Sequence, residues 1–258
     1  VVHGTITDLT LENCKVSNSG MCGILAAECG NSTGSLNAQI VNVHAVNCSV
    51  TVSGASAATE MGGLSAAAGN AKFSDCSYGG TLSTNRGGYC GGLVGKVVYE
   101  STIERCSADV TMTITSGNQN GGILGAPTAG KKVTISDCFT TGAIKGGGSY
   151  MGGITGEMSS GSTCQRCWSG MTLSGGYAHG GITGRCCNLE NPNSKNSFGT
   201  DMNITVKDCI AWNASITTTT AAGENPSTHY SSGAVTAFNV YKNTLQNCWR
   251  RPDMTFHV

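Results

Sequence analysis

Apolar and polar residues alternate with a period of two along much of the chain, in short stretches separated by Gly, Asn and Ser. The alternation is clear in "CSVTVSG" at 48–54, "ADVTMTIT" at 108–115 and "GMTLSGG" at 170–176. A period of two is typical of β-strands, and a sustained 3.6-residue period is not found. The pattern therefore predicts an all-β protein made of many short strands.

Two sequence units recur along the chain. The glycine unit reads "GGLVG" at 91–95, "GGILG" at 121–125 and "GGITG" at both 152–156 and 180–184, with looser copies at 22–26, 62–66 and 233–237. The second unit, apolar-x-x-Cys in most copies, ends at Cys14, Cys48, Cys76, Cys106, Cys138, Cys167, Cys209 and Cys248. Core spacings of 28 to 32 residues are too short for independent domains and predict the turns of a solenoid.

The two units together predict a parallel β-helix, in which each coil stacks about 4.8 Å from the next. We expect a single domain over residues 1–258, of about eight right-handed coils. Two stretches near the C-terminal end, 186–201 and 220–232, fit no coil and are predicted to be long loop insertions. The glycine pair is predicted to mark a sharp bend, or a close backbone approach that a Cβ would obstruct.

The "GGLVG" unit and an Asn/Asp-Cys unit about 15 residues away resemble the GLUG-repeat proteins, over about residues 40–210. The resemblance implies a β-solenoid stalk or adhesive region on a secreted or surface protein of a bacterium or protist. It implies no catalytic residues. The chain departs from that pattern in its extra cysteines and in the two insertions.

Composition narrows the choice of partners and compartment. Fifteen basic and fifteen acidic residues balance to zero net charge, which gives no electrostatic reason to bind nucleic acid or an anionic membrane. Apolar runs fall well short of the ~20 residues of a membrane span. Fourteen cysteines predict a secreted or cell-surface protein, as do glycosylation acceptors at Asn31, Asn47, Asn203 and Asn213. The alternative is a cytosolic protein with buried free thiols.

Stacking in register would place the eight repeated cysteines in one line. Core packing by small, polarizable side chains is the favoured interpretation, ahead of disulfides between coils. Metal binding is the weakest, because a line of thiols offers no tetrahedral cluster. The "CQRC" at 164–167 has a zinc-like spacing but no obvious partner pair. Six cysteines outside the line are the better disulfide candidates: Cys22, Cys29, Cys90, Cys164, Cys186 and Cys187.

The residue before each repeated cysteine is charged in five consecutive units, with alternating sign: Asp75, Arg105, Asp137, Arg166 and Asp208. We call these residues the charge ladder. Opposite charges on adjacent coils would favour the correct register and penalise a slip by one coil. The alternative is a carboxylate–arginine site, as in carbohydrate-cleaving β-helices.

The residue after each repeated cysteine changes from polar to large and apolar halfway along the chain. The apolar half, which we call the aromatic strip, is Phe139, Trp168, Ile210 and Trp249. Its parity is opposite to that of an inward cysteine, so the strip is expected on the outside. It is either a contact surface or a surface that an insertion covers.

The sequence concentrates no acids, bases or nucleophiles in one repeat position, and its five histidines occupy unrelated places. We therefore expect no catalytic site, no cofactor and no metal. The leading hypothesis is an extracellular structural protein that stacks end to end into a fibre or forms part of a surface stalk or adhesin. Its partners would be copies of itself or other surface proteins. The alternative is a carbohydrate-binding or carbohydrate-cleaving β-helix, a lyase or hydrolase, with Trp168 and Trp249 stacked on sugar rings.

Overall fold

A computed structural model describes residues 1–54, 59–85, 88–146, 149–186, 203–218, 232–239 and 243–257. Within these ranges the protein is built of β-strands and contains no helix, which agrees with the prediction of an all-β protein. Accordingly, no described segment is a helix long and apolar enough to cross a membrane.

The strands form three sheets, each of which extends along the direction of the stack. Sheet 1 contains eighteen strands: Gly4–Glu12, Lys15–Asn18, Ala38–Val52, Ala71–Ser74, Ser77–Thr84, Ser101–Glu104, Ser107–Ile114, Val133–Ser136, Phe139–Gly146, Thr163–Gln165, Trp168–Ser169, Thr172–Ser174, Thr205–Lys207, Ile210–Ala211, Ser215–Thr217, Thr244–Gln246, Trp249–Arg250 and Thr255–His257. Sheet 2 contains seven: Ala26–Gly30, Ser65–Gly69, Val94–Val97, Leu124–Pro127, Thr155–Met158, Thr183–Cys186 and Thr236–Asn239. Sheet 3 contains five: Thr59–Gly62, Gly88–Gly91, Gln119–Gly121, Tyr150–Gly152 and His179–Gly180.

Every pairing between neighbouring strands is parallel, and each strand pairs with the equivalent strand of the next repeat. Residues 107–114, for example, pair one to one with 77–84 on one side and with 139–146 on the other. The prediction of a parallel β-solenoid is thereby confirmed. Five turns carry strands of all three sheets, fewer than the about eight coils predicted. Most of both predicted insertions lies outside the described residues.

A single residue in the left-handed backbone conformation makes the corner within sheet 1. The five residues of the charge ladder have φ between 51° and 57°. Asp tolerates this conformation better than most residues, because its short side chain can bond locally. Arg105 and Arg166 lack that property, and the surrounding stack holds their backbones in this conformation.

The glycine unit makes the corner between sheet 3 and sheet 2, and all three of its glycines are sterically required. A Cβ on Gly121 would lie 2.1 Å from the carbonyl oxygen of Leu124, three residues on. A Cβ on Gly122 would lie 2.2 Å from the carbonyl oxygen of Gly153 in the next coil. A Cβ on Gly125 would lie 2.3 Å from the carbonyl oxygen of Gly95 in the preceding coil. The unit recurs because each coil must pass this corner with its backbone against its neighbours.

Inward side chains from the three sheets fill a core of aliphatic residues, cysteine and methionine. One inward line on sheet 1 consists of Ile40, Phe73, Ile103, Ile135, Cys164, Val206 and Leu245, each paired with the next. Tyr78 is also fully buried, and its hydroxyl donates to the carbonyl oxygens of Cys48 and Thr81. Burial of small apolar side chains along such lines is the main stabilising term of the stack.

The alignment of the first two coils differs from the sequence prediction. Ile40 pairs with Phe73 and His44 with Ser77, so Asn42, rather than Asn47, stands opposite Asp75. Asn42 and Asn47 both have left-handed backbones, and the register shifts between Ala45 and Cys48. These coils therefore contain an additional corner. The cysteine line runs from Cys76 to Cys248, with Val43 in the place predicted for a cysteine, while Cys14 and Cys48 lie at the additional corner.

Candidate functional site

The structure places the charge ladder in one line along the stack, at the left-handed corners within sheet 1. Arg105 donates to both carboxylate oxygens of Asp75 over 2.8 Å, and Arg166 donates to both oxygens of Asp137 over 2.7 Å. Asp208 instead accepts a hydrogen bond of 3.1 Å from Asn247. The ladder thus consists of two bidentate ion pairs and one carboxylate–amide pair between adjacent coils.

These ion pairs are exposed, but they shift the carboxyl groups in a defined direction. Hydrogen bonds from Arg105 lower the pKa of Asp75, and hydrogen bonds from Arg166 lower the pKa of Asp137. Glu104 also has a lowered pKa, because Lys72 and Arg105 donate to it. The two parallel hydrogen bonds of a bidentate arginine–carboxylate pair fix the relative position of two coils more specifically than a single hydrogen bond does. This geometry is compatible with the predicted control of register.

We expect Asp137→Asn to lower the free energy of unfolding at pH 7 by no more than about 1 kcal/mol, because exposed ion pairs contribute little. The ion pair lowers the pKa of Asp137 in the folded protein. Its stabilisation is therefore present above the aspartate pKa of about 3.9 and is lost as the pH falls through the lowered value. Denaturant unfolding at pH 7 and near pH 2 measures both effects.

Asp208→Asn is the matched control for this variant, since Asp208 lies at an equivalent corner with φ of 54° and faces an amide. It is expected to change stability less than Asp137→Asn at pH 7. A difference between wild type and Asp137→Asn that persists unchanged at low pH would show that the ion pair is not its cause.

The repeated cysteines point inward and their thiols contact backbone carbonyls at the corner. The thiol of Cys138 donates to the carbonyl oxygens of Ser136, two residues earlier, and of Ile103 in the preceding coil. Cys167 and Cys209 make the same two kinds of contact. A thiol is small enough for the core and can still donate weakly to the carbonyls beside the corner.

All thirteen described cysteines are free, and the disulfide prediction does not hold for them. Of the six candidates, the five described ones are buried core side chains: Cys22, Cys29, Cys90, Cys164 and Cys186. Cys187 lies outside the described residues. Burial raises the pKa of Cys90 to about 12, so this thiol stays protonated at neutral pH. Four of these five cysteines lie in strands and Cys22 makes an isolated bridge to Met61, rather than lying in the loops that they were expected to tie down.

Stacking brings a third thiol to the "CQRC" pair. The sulfur atoms of Cys164, Cys167 and Cys209 all lie within 4.8 Å of one another, and the three side chains are buried. Contacts with the thiols of Cys167 and Cys209 raise the pKa of Cys164 well above its ordinary value. Cys209 is not an evident partner in the sequence, because it is 42 residues from Cys167 along the chain.

The aromatic strip lies on the outer face of sheet 1. Backbone pairing aligns Phe139 with Trp168, Trp168 with Ile210, and Ile210 with Trp249. Three of the four residues are exposed, Trp249 by 70%, and Trp168 is half-buried. The rings of Phe139 and Trp168 are 6.3 Å apart and tilted by 57°. Trp212, which sequence analysis left out, is exposed two residues after Ile210.

One predicted glycosylation acceptor is inaccessible in the folded protein. Asn213 is fully buried, and its side-chain amide donates to the carbonyl oxygen of Met171 over 2.7 Å. Glycans attach at the surface, so the prediction for Asn213 is wrong for the folded chain. Asn47 and Asn203 are exposed and Asn31 is half-buried.

A buried charged cluster joins sheet 2 to sheet 3. Arg185 and Glu157 form an ion pair on adjacent coils, and they are only 5% and 3% exposed. Gln119 of sheet 3 donates to Glu157 over 2.9 Å, and the guanidinium of Arg185 lies 3.9 Å from the ring centre of Tyr150. The expectations from the sequence did not include this cluster. The available signal was that Glu157 and Arg185 each directly follow a glycine unit.

The described histidines do not assemble a catalytic group. His179 is buried in sheet 3, and burial lowers its pKa to about 4, so it is neutral at physiological pH. His44 bonds Asn42 and Ser77 beside the corner that Asn42 makes, while His3 and His257 lie at opposite ends of the described chain. His229 lies outside the described residues.

Comparisons with protein-family models, curated proteins and solved structures find no match to this chain.

Proposed function

We propose that this protein is a non-catalytic extracellular structural β-solenoid that adds to further coils at its ends, in a fibre or as a segment of a surface stalk. The observation that carries the proposal is the state of the two end coils. Both end coils present open strand edges within the described part of the chain. Their inward side chains are partly exposed, whereas the equivalent side chains of the neighbouring coil are buried.

At the N-terminal end, the strand Gly4–Glu12 pairs on one side only within the described part of the chain. Its inward residues Ile6 and Leu9 are half-buried, whereas their partners in the next coil, Ile40 and Val43, are fully buried. An open parallel edge offers unpaired N–H and C=O groups to another strand. Another coil placed here would complete both the hydrogen bonds and the core.

The C-terminal end has the same character. Leu245 is 43% exposed although its partner Val206 is fully buried, and Phe256 is 42% exposed although its partner Ile216 is buried. The two ends therefore present opposite edges of the same parallel sheet. Such faces are complementary in a head-to-tail arrangement, which generates open filaments when the contact does not close into a ring.

Phe256→Asp is expected to convert end-to-end filaments of the wild type into single solenoids, because a carboxylate in the end face would be buried without a partner. Sedimentation velocity and negative-stain microscopy over a range of concentrations measure the change. Phe139→Asp, on the flank of the solenoid, is the control and should affect lateral association only.

Dispersed wild-type monomers that bind or cut a polysaccharide would overturn the structural proposal. They would support the second candidate, a carbohydrate-binding solenoid, which the exposed aromatic strip and Trp212 favour because aromatic rings present large apolar faces with defined geometry. Both oxygens of Asp137 are engaged by Arg166, so this corner supports binding better than cleavage.

We also propose the finer features of the solenoid that the sequence predicts. The solenoid comprises about eight right-handed coils in a single domain, with the insertions 186–201 and 220–232. The units "GGLVG" and "ISDC" support membership of the GLUG-repeat type. Secretion or surface display is supported by the acceptors Asn31, Asn47 and Asn203, and the partners are copies of this chain, other surface proteins or glycans.

A further inference from the structure

One inward position of sheet 1 is a cysteine in a single coil and an aliphatic residue in the neighbouring coils. The equivalent residue is Ile103, Ile135 or Val206 in other coils, and it is Cys164 here. Cys164 and Cys167 lie on either side of a left-handed corner made by Arg166. The corner turns both thiols into the same part of the core.

The next coil adds the third thiol. Cys209 follows the corner residue Asp208, and its thiol donates to the carbonyl oxygen of Cys164 over 3.7 Å. The three sulfur atoms lie within 4.8 Å of one another. Three sulfur atoms around a common metal ion at about 2.3 Å would be about 4 Å apart. A shift of less than an ångström would bring the three into coordinating positions.

The chemistry of this site favours a soft ion that accepts three ligands. Thiolate ligands select soft metals such as Cu(I), whereas a structural zinc site is completed by four ligands. No fourth Cys, His, Asp or Glu joins the cluster among the described residues. The three side chains are fully buried, and buried net charge is costly. Each thiol that binds as a thiolate releases its proton to solvent, and Cu(I) neutralises one of the resulting thiolate charges.

We propose that Cys164, Cys167 and Cys209 form a buried binding site for a thiophilic metal ion, with Cu(I) as the best-fitting occupant. The site is independent of the proposed function, since a metal between two coils is compatible with any role of the solenoid. Binding links two adjacent coils through three ligands and stabilises the folded state by an amount that rises with the logarithm of its affinity.

Cys164→Val is the decisive variant, because Val206 already occupies the equivalent position in the next coil. Reduced protein is titrated anaerobically with Cu(I) in competition with a chromophoric Cu(I) chelator, both after folding and during refolding. The wild type should take up a single tight equivalent, and Cys164→Val should bind it at least about a hundredfold more weakly. Cys106→Ala removes a repeated cysteine outside the cluster and should bind like the wild type.

Circular dichroism of Cys164→Val establishes that the variant is folded before its metal affinity is compared. The proposal is overturned if the wild type takes up no Cu(I) in either titration, or if Cys164→Val and the wild type bind equally. A disulfide between any two of the three cysteines in the purified protein, found by mass spectrometry without reduction, would also overturn it.

Discussion

Replacing Gly122 by Ala is expected to lower the free energy of unfolding by about 3 kcal/mol or more, or to prevent folding. The new Cβ would lie 2.2 Å from the carbonyl oxygen of Gly153, 2.6 Å from the sulfur of Met171 and 2.8 Å from the methyl carbon of Thr140. The first of these atoms belongs to the backbone of the next coil, so the clash cannot be relieved by a side-chain rotation. Thermal and denaturant unfolding measure the loss.

Gly79→Ala is the matched control for Gly122→Ala. Gly79 also lies in a strand, but the nearest atom to an added Cβ is the carbonyl oxygen of Ala45 at 3.7 Å, an ordinary contact. Ala restricts the unfolded chain more than Gly does, so this variant should be neutral or slightly more stable than the wild type. If the two variants lose the same stability, the glycine unit is not retained for steric reasons.

Glu157→Ala is expected to lower the free energy of unfolding by about 3–5 kcal/mol, since removal of one partner leaves a buried charge uncompensated. Arg185 is 5% exposed, and among the described residues its guanidinium would keep its contact with the ring of Tyr150. Chemical denaturation of wild type and variant at the same pH and salt concentration measures the difference.

The pair Glu60–Lys96 provides a control, because it is also a carboxylate–cation pair between two sheets and is more exposed to solvent. It joins sheet 3 to sheet 2 with a distance of 3.4 Å, and its side chains are 21% and 19% exposed. Glu60→Ala should therefore cost less than Glu157→Ala, because water can solvate the remaining lysine. The double variant Glu157→Met, Arg185→Met should recover part of the stability lost in Glu157→Ala. Equal losses for Glu60→Ala and Glu157→Ala would contradict the burial argument.

The repeat made much of the fold predictable. A period of two specifies strands, and a recurrence of about 30 residues specifies coils that stack in parallel. The ladder positions of Asp137 and Arg166 could also be read from the repeat, because both directly precede a cysteine of the line. These features are local or repeat at a nearly constant spacing. They can therefore be predicted without knowledge of the register between coils.

The first coils were aligned incorrectly because they contain two corners where later coils have one. Asn42 and Asn47 are equally suited to a left-handed backbone, and only Asn47 precedes a cysteine. Sequence spacing therefore favoured Asn47, whereas core packing of Ile40 on Phe73 selects Asn42 as the residue opposite Asp75.

The sequence by itself determined the class of fold, the glycine corner and the alignment of the charge ladder in one line. Only the tertiary structure decided that Asn213 is buried, that Glu157 meets Arg185 and that Cys209 joins Cys164 and Cys167. The physical reason is that coils differ in length, so that residues 28 or 42 positions apart can become neighbours across the same inter-coil spacing of about 4.8 Å. Packing and hydrogen bonding between coils, rather than distance along the chain, determine which residues those are.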